Sequence, residues 1–442
     1  MLKHIRNFAI IFIIAAIGFG YYITRPDVAQ VSLEAMSGTS PDLDGQGPRK
    51  QNFPTVSIAE VDRWTDDEMP VAAEGLKVER YASDFDHPRN LYILPNKDIL
   101  VVETNSPPRD TSSGLFAKAA AYFQDKAGAG SASANRITLL RDEDEDGTPE
   151  LRSAFLEGLN SPFGVALVGD TLYVANTDAV LAFPYTEGDT QISAKGKEVA
   201  KLNAIAPNNH WTRNLIANPD GTKLYIAVGS NSNIGENGMD TEDRRAAILE
   251  HDIESGKTRI FATGLRNPVG MSWNADGSLW TVVNERDLLG SDLVPDYLTQ
   301  VDLGQDFGWP NHYWGGYTDL RVEPLRPEKR QYETRPDYAL GPHTASLGLV
   351  FAEGAKLGAK FSSGAFVARH GSWNREPKSG YDVVFVKFNG SKPVGLPVNV
   401  LSGFLDDDDK AQGRPTSVAI APDGALLVID DVANIIWRVS QK

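Results

Sequence analysis

The sequence predicts an all-β chain: a six-bladed β-propeller with four-stranded blades, behind an N-terminal membrane anchor or signal helix. Three observations carry this expectation. Apolar strand–polar turn–apolar strand units recur along the chain, several with Asp-Gly in the turn, where tight reversals need backbone freedom. They return at intervals of roughly 50 to 90 residues, too long for one hairpin each but suited to a blade with variable loops. The one long apolar run lies at the N-terminus, outside these units. A pair of β-sandwiches is the alternative architecture.

That run, FAIIFIIAAIGFGYYI, covers residues 8–23 behind Lys3 and Arg6. An apolar segment with cations on one side fits an export signal whose positive end stays in the cytoplasm. At 16 residues it is short for a bilayer span, and no small-x-small cleavage site stands out. Residues 1–25 are therefore expected to be a signal peptide or uncleaved signal anchor, with a buried core segment as the bland alternative. The expected location is periplasmic, with the chain held at a bacterial inner membrane. Residues 26–60 are rich in Pro, Gly, Ser and Asp and read as a linker with little packing potential.

The propeller is expected over residues 61–442. Its clearest hairpins are NLYILPNKDILVVE (90–103), GVALVGDTLYVANTD (164–178), LIANPDGTKLYIAVGS (215–230), GMSWNADGSLWTVVNE (270–285) and SVAIAPDGALLVIDD (417–431). A sixth, SGAFVARHGSWN (363–374), is less regular. Two insertions break the rhythm. Within 107–134, Leu115, Ala119 and Phe123 recur at helix spacing. Residues 317–340, rich in charge, Pro and Tyr, read as a long loop that either rims a site or is simply solvated.

The 442 residues carry a formal charge of −16, which argues against a nucleic-acid surface. Cysteine is absent, so disulfides, lipidated cysteine and a CxxCH haem motif are excluded. No Gly-rich dinucleotide fingerprint stands beside a suitable strand and helix. Any redox partner must therefore be a separate molecule.

In a propeller, loops from several blades meet at one end of the axis, so residues flanking the inner strands are the site candidates. His210, in APNNHWTRN, precedes a strand and has the chemistry of a general base; a hydrogen-bonded structural histidine is the bland reading. Arg266 and Asn267, in GLRNPVG, precede another, where arginine can stabilise charge on a carbonyl oxygen and Asn267 can orient a polar ligand. The alternative is a loop arginine paired with a blade acid. Glu285, Asp287, Asp292 and Asp296 offer hard oxygen ligands for calcium without EF-hand spacing; a solvated acidic loop or a salt bridge to Arg286 competes. RDEDEDGTPE (141–150) resembles half a calcium loop through Asp142, Asp144, Asp146 and Gly147, but has Ser153 at the twelfth position, and otherwise reads as a hairpin turn. HGSWNREP supplies His370, Trp373, Asn374 and Arg375, and QGRPTSV supplies Arg414. Meeting at the axis, these would suit a flat anionic ligand.

Together GLRNPVG, NERD–LGSDLVPDYL, FGWP, HGSWNR and GRPTSVAIAPDG resemble the glucose/sorbosone dehydrogenase family, the soluble quinoprotein sugar dehydrogenases, and within it the sorbosone and pyranose dehydrogenase branch. The likeness covers roughly residues 60–440. It implies a six-bladed propeller holding pyrroloquinoline quinone and calcium (Ca2+), a sugar substrate, and a respiratory quinone or cytochrome as separate electron acceptor. It makes His210 the base that takes the hydroxyl proton and Arg266 the cation at the quinone carbonyl. Asn267, His343, Thr344, Trp373, Asn374, Arg375 and Arg414 become cofactor contacts. The acidic segment becomes the calcium region. One departure stands out. The glucose enzymes support the base with an aspartate in the following strand, whereas this chain reads AVGSNSN, with Ser230 and Asn231. A calcium-dependent lactonase and a non-catalytic glycan- or protein-binding propeller are the competing functions.

Overall fold

The computed structural model describes residues 2–45, 47–49, 55–108, 126–128 and 130–442. The sheets form six antiparallel blades of four strands around one axis, two of them extended by a fifth. The inner strands are Pro88–Ile93, Gly164–Val168, Arg213–Ala217, Pro268–Trp273, Ser346–Phe351 and Pro415–Ile420. Blade 6 closes the ring: the last of its three C-terminal strands, Ile435–Gln441, pairs with Leu76–Ala82, so both ends of the propeller sequence share one sheet.

Six apolar clusters fill the wedges between neighbouring blades. The second strand of each blade feeds two of them. In Leu279–Val283, Leu279 and Val283 face blade 3, while Trp280 and Val282 face blade 5. Burial on both faces explains why these strands read as unbroken apolar runs instead of alternating ones. Near the axis, three inner-strand glycines allow backbones to touch. A β-carbon on Gly164 would lie 2.1 Å from Leu215 N, on Gly270 2.8 Å from Leu347 O, and on Gly348 2.7 Å from Thr416 O. What remains of the axis is a 90 Å³ cavity lined from all six inner strands.

The regular hairpins each form the first two strands of a blade, and RDEDEDGTPE is a turn between Arg136–Arg141 and Leu151–Leu156. The segment 363–374 differs. It holds one strand, Gly364–Arg369, whose inner partner Ser346–Phe351 lies across an irregular connection containing a 3-10 turn. Residues 317–340 are not wholly loop, because Tyr338–Pro342 is the outer strand of blade 4. The helical spacing at Leu115–Phe123 lies outside the described residues.

The segment expected to be a linker packs instead. Ser37–Gly38 adds a fifth strand to blade 4, and Met36 and Leu43 are buried in the wedge between blades 3 and 4. Before it, Leu2–Thr24 is a helix with Phe12, Ile13, Ile14, Ile17 and Phe19 exposed. Among the described residues, no helix is long and apolar enough to cross a membrane.

Candidate functional site at the axial mouth

Every inner strand starts at the same end of the axis, and every second strand returns there. His210, Asn267, His343 and Arg414 therefore converge from blades 3 to 6, joined by loops that follow the second strands. Gly229 sits between two of them: a β-carbon there would lie 2.2 Å from Asn267 Oδ1 and 2.6 Å from His210 Cβ. Only glycine lets these side chains close over that backbone.

His210 is half-buried, and its Nδ1 lies 2.8 Å from the Ser230 carbonyl and 2.9 Å from Ser230 Oγ. Ser230 Oγ gives its proton to the Ser232 carbonyl at 2.6 Å. Both Ser230 oxygens are then acceptors, so Nδ1 carries the hydrogen and Nε2 the lone pair. Nε2 makes no hydrogen bond among the described residues. Burial, then the nearby charge of Arg266, holds the imidazole well below its ordinary pKa. The carbonyl thus fixes the tautomer and favours the charged ring, but burial and Arg266 outweigh it.

Two buried arginines clamp this histidine from behind. Arg245 donates to the carbonyls of Gly229, Ser230 and His210. Arg213 donates to the His210 and Thr212 carbonyls, and both reach Asn208 Oδ1. Burial pulls both guanidinium pKa values down, Arg245 to about 10. Glu242 holds the adjacent loop, accepting from the amides of Asn231 and Ser232 and from Ser232 Oγ. Neither Arg245 nor Glu242 stood out in the sequence; the only cue was a long polar loop after a second strand.

Arg266 is buried and fully engaged. It donates to the carbonyls of Asn233, Asn284 and Glu285, to Asn233 Oδ1, and to Asp287 Oδ2 at 2.9 Å. Asp287 also accepts from Asn374 Nδ2 at 2.9 Å and lies 3.6 Å from His343 Nδ1. Burial pushes its carboxyl up, but Arg266, His343 and Asn374 outweigh that and bring it down to about 2. The bland reading of Arg266 thus describes its bonds, and its charge still faces His210.

The four acids of 285–296 do not converge. Glu285 pairs with fully buried Arg286. Asp292 accepts from the Gln30 and Val31 amides and from Arg49. Asp296 accepts from the Glu285 and Ser346 amides and from Thr344 Oγ1, and burial raises its pKa to about 6. Each carboxylate is spent on organising a different loop. Among the described residues, the acids that do gather are Asp142, Asp144, Asp146 and Glu150, in a turn at the opposite end of the propeller.

The remaining expected contacts divide. Thr344 serves Asp296, and Arg375 turns away from the axis to the Ser291 and Pro377 carbonyls. Trp373 stands at the mouth, 40 % exposed. Arg414 packs its guanidinium over the Tyr381 ring at 5.2 Å and leaves Nε without a partner. Asn267 Oδ1, Asn374 Oδ1 and His87 Nδ1 are likewise buried without hydrogen-bond partners. His87, which precedes the first inner strand, joins Arg89 and His370 around Asp431. Burial raises the Asp431 carboxyl, but His370 and Arg89 carry it far below the carboxylate range. His87 and Arg89 were missed, although DHPRN holds the same position before a strand as GLRNP.

Comparison with known proteins follows this geometry. The family described as Domain of unknown function (DUF7133) matches residues 71–438. An uncharacterized protein of Borreliella burgdorferi is 25% identical over 292 residues, 64% of this chain and 76% of that protein. A pyrroloquinoline quinone-dependent pyranose dehydrogenase of Coprinopsis cinerea is 28% identical over 221 residues; the match spans 40% of this chain and only 30% of that protein. The holo form of the pyranose dehydrogenase PQQ domain from the same fungus superposes with a TM-score of 0.67 at 18% identity, covering 87% of this chain and all of that one (100%). At that identity the superposition establishes the shared propeller.

Proposed function

The chain belongs to the family described as Domain of unknown function (DUF7133), and from the site it builds we propose that it is a quinone-dependent dehydrogenase of sugars. The observation that carries this reading is His210: an imidazole with Nδ1–H held by the Ser230 carbonyl and Nε2 without a hydrogen bond among the described residues. The named activities of the fold neighbours support it.

The residues at the mouth suit pyrroloquinoline quinone, a flat tricarboxylate with carbonyl oxygens. The buried Arg414 Nε is a donor without an acceptor, the match for a carboxylate or carbonyl oxygen, whereas the unpaired Asn267 and Asn374 oxygens are acceptors and would take only a donor on the ligand. Unpaired buried polar groups are costly unless a ligand satisfies them. Asn267, Asn374 and Arg414 would hold the cofactor, with Trp373 at its exposed rim. When bound, the cofactor supplies the hydride acceptor. His210 Nε2 takes the proton of the sugar hydroxyl as the adjacent C–H bond breaks. Arg266 supplies positive charge beside the reacting oxygens and, with burial, keeps His210 unprotonated. Asp287 fixes Arg266, and Arg245 fixes the backbone on both sides of the base. The electrons leave to a separate acceptor.

Calcium is a different matter. Glu285, Asp287, Asp292 and Asp296 are each bonded elsewhere, so they do not fit a shared ion and no step is assigned to one. The lactonase reading required that convergence and loses its support with it.

Reconstitution tests the proposal. Full-length protein mixed with pyrroloquinoline quinone should give a bound-quinone spectrum that a panel of aldoses bleaches. His210→Ala should keep the spectrum and lose about 10²- to 10⁴-fold in turnover, the usual worth of a general base. Absence of quinone binding, or full turnover in the variant, would overturn the reading.

A further inference from the structure

The N-terminal helix ends where the axial mouth begins. Asp27, three residues beyond the helix Leu2–Thr24, is pinned to the loop after the second strand of blade 4. Its carboxylate accepts from the Ser291 amide at 2.6 Å, and its carbonyl from Ser291 Oγ at 2.6 Å. Arg49 clamps Asp27 and Asp292 together. The Ala29 amide donates to the Glu376 carbonyl at 2.7 Å, and the Gln30 amide to Asp292 Oδ2 at 2.9 Å. Ser291 in turn accepts from Arg375, whose neighbour Asn374 holds Asp287. The chain is thus fixed to the rim of the site immediately after the helix. Three residues span at most about 11 Å, so the helix leaves from the mouth end whatever its tilt.

The helix itself is built for lipid. Phe12 is 68%, Ile14 64% and Ile17 66% exposed, Ile13 and Phe19 are exposed as well, and the run 8–23 carries no charged residue on any side. A helix apolar all round belongs in a core or a membrane, and this one carries its exposed side chains away from the core. Its uncharged run is preceded by Lys3 and Arg6, which complement anionic headgroups. The remainder of the chain is strongly acidic, and acidic faces are repelled by the same surface.

We propose that the helix docks into an anionic lipid bilayer and that this holds the axial mouth, not the opposite end of the propeller, against the membrane. The claim is independent of the chemistry at the mouth, and its test reads geometry alone. The chain has no cysteine, so single substitutions give clean labels. Leu288→Cys, exposed at the rim, and Ala275→Cys, exposed in a turn at the far end, would carry an environment-sensitive fluorophore in the full chain. The probe is a phosphatidylglycerol–phosphatidylcholine vesicle containing lipid-borne quencher. Blade strands of five to six residues part the two labels by roughly 20 Å, beyond the reach of a contact quencher. The Leu288 label should lose intensity and the Ala275 label should not. Equal quenching, stronger quenching at Ala275, or no quenching at either position, including when the helix merely joins two copies of the chain, overturns the proposal. Ile205→Cys, exposed on the loop before His210, replaces Leu288→Cys should that variant fail to fold.

Discussion

Replacing Ser230 with aspartate should move the acid limb of the pH–rate profile upward. In the native site, burial and Arg266 hold His210 well below its ordinary value, so the base stays neutral and competent at mildly acid pH. Ser230 Oγ lies 2.9 Å from Nδ1, so an aspartate carboxylate placed there sits about 4 Å from the imidazole charge. At an effective dielectric of about 20, that pair attracts by about 4 kcal/mol. Arg245, 3.0 Å from the Ser230 carbonyl, takes part of the new charge, so a shift of about one to two pKa units, or about 1.4 to 2.7 kcal/mol, is expected. The assay is kcat/KM against pH, whose acid limb reports the base in the free enzyme. Native protein should show its acid limb below 6.5, the ordinary histidine value, and Ser230→Asp should show it one to two units higher. Ser230→Ala is the control: the carbonyl at 2.8 Å remains, so the limb should stay in place. Because Ser230 is fully buried, the aspartate should also cost about 1 to 3 kcal/mol of stability, read by urea melts. Coincident limbs in native and aspartate proteins, or a native limb above the ordinary value, would refute the tautomer argument.

Other substitutions test the supports. Glu242→Ala removes the acceptor of two amides and a hydroxyl and should cost about 2 to 4 kcal/mol in urea denaturation, while lowering turnover more than quinone affinity. Gly164→Ala forces a β-carbon to 2.1 Å from Leu215 N and should destabilise by about 3 kcal/mol or more, visible as a lowered melting temperature. Arg286→Met strands buried Glu285, while Asp319 keeps Arg321, and a loss of about 3 to 5 kcal/mol is expected. Asp287 has its carboxyl depressed from 3.8 to about 2. Its stabilisation is therefore full above the unfolded value and lost as pH falls through the folded one. The deficit of Asp287→Asn, about 2 kcal/mol at neutral pH, should shrink between pH 4 and 2 in acid titrations of stability.

The propeller was legible where folding is local. Five hairpins have their strands joined by short polar turns, and each fell at the head of a blade. Blade 5 was half legible because SLGLVF meets its partner only across residues 352–363, so no turn marked the pair. The strap at Ser37–Gly38 was illegible for a stronger reason: it pairs with Leu340 and Ala339, about 300 residues away, and its Gly, Pro and Asp composition suits a loop equally well. At the site, position relative to a strand was informative and side-chain identity was not. His210, Asn267 and Arg414 reached the mouth because they precede inner strands. Glu285, Asp292 and Asp296 read as metal ligands because a sequence lists carboxylates without the amides and guanidinium groups that already occupy them.

The same consideration bears on Ser230. In sequence it looked like the loss of a carboxylate that a histidine base requires. In the structure the requirement divides into two parts, tautomer and charge. A main-chain carbonyl meets the first as well as a carboxylate does, since either accepts the Nδ1 hydrogen. The second is met only in part: burial, then Arg266 and Arg245, outweigh the Ser230 carbonyl and Asp287, which favour the charged ring. A base so arranged holds its proton weakly. It must hand the proton on before the next turnover, and the ring bonds only Ser230, with no carboxylate in contact to retain it. Asp431 sits in the same mouth: there a carboxylate does face a histidine, His370 at 3.0 Å, yet burial still lowers the His370 pKa, and Arg89 supplies the ion pair of a brace between blades 5, 6 and 1. Carboxylate–histidine pairing is thus used here to hold the blades together, while at His210 a main-chain carbonyl takes the carboxylate's place.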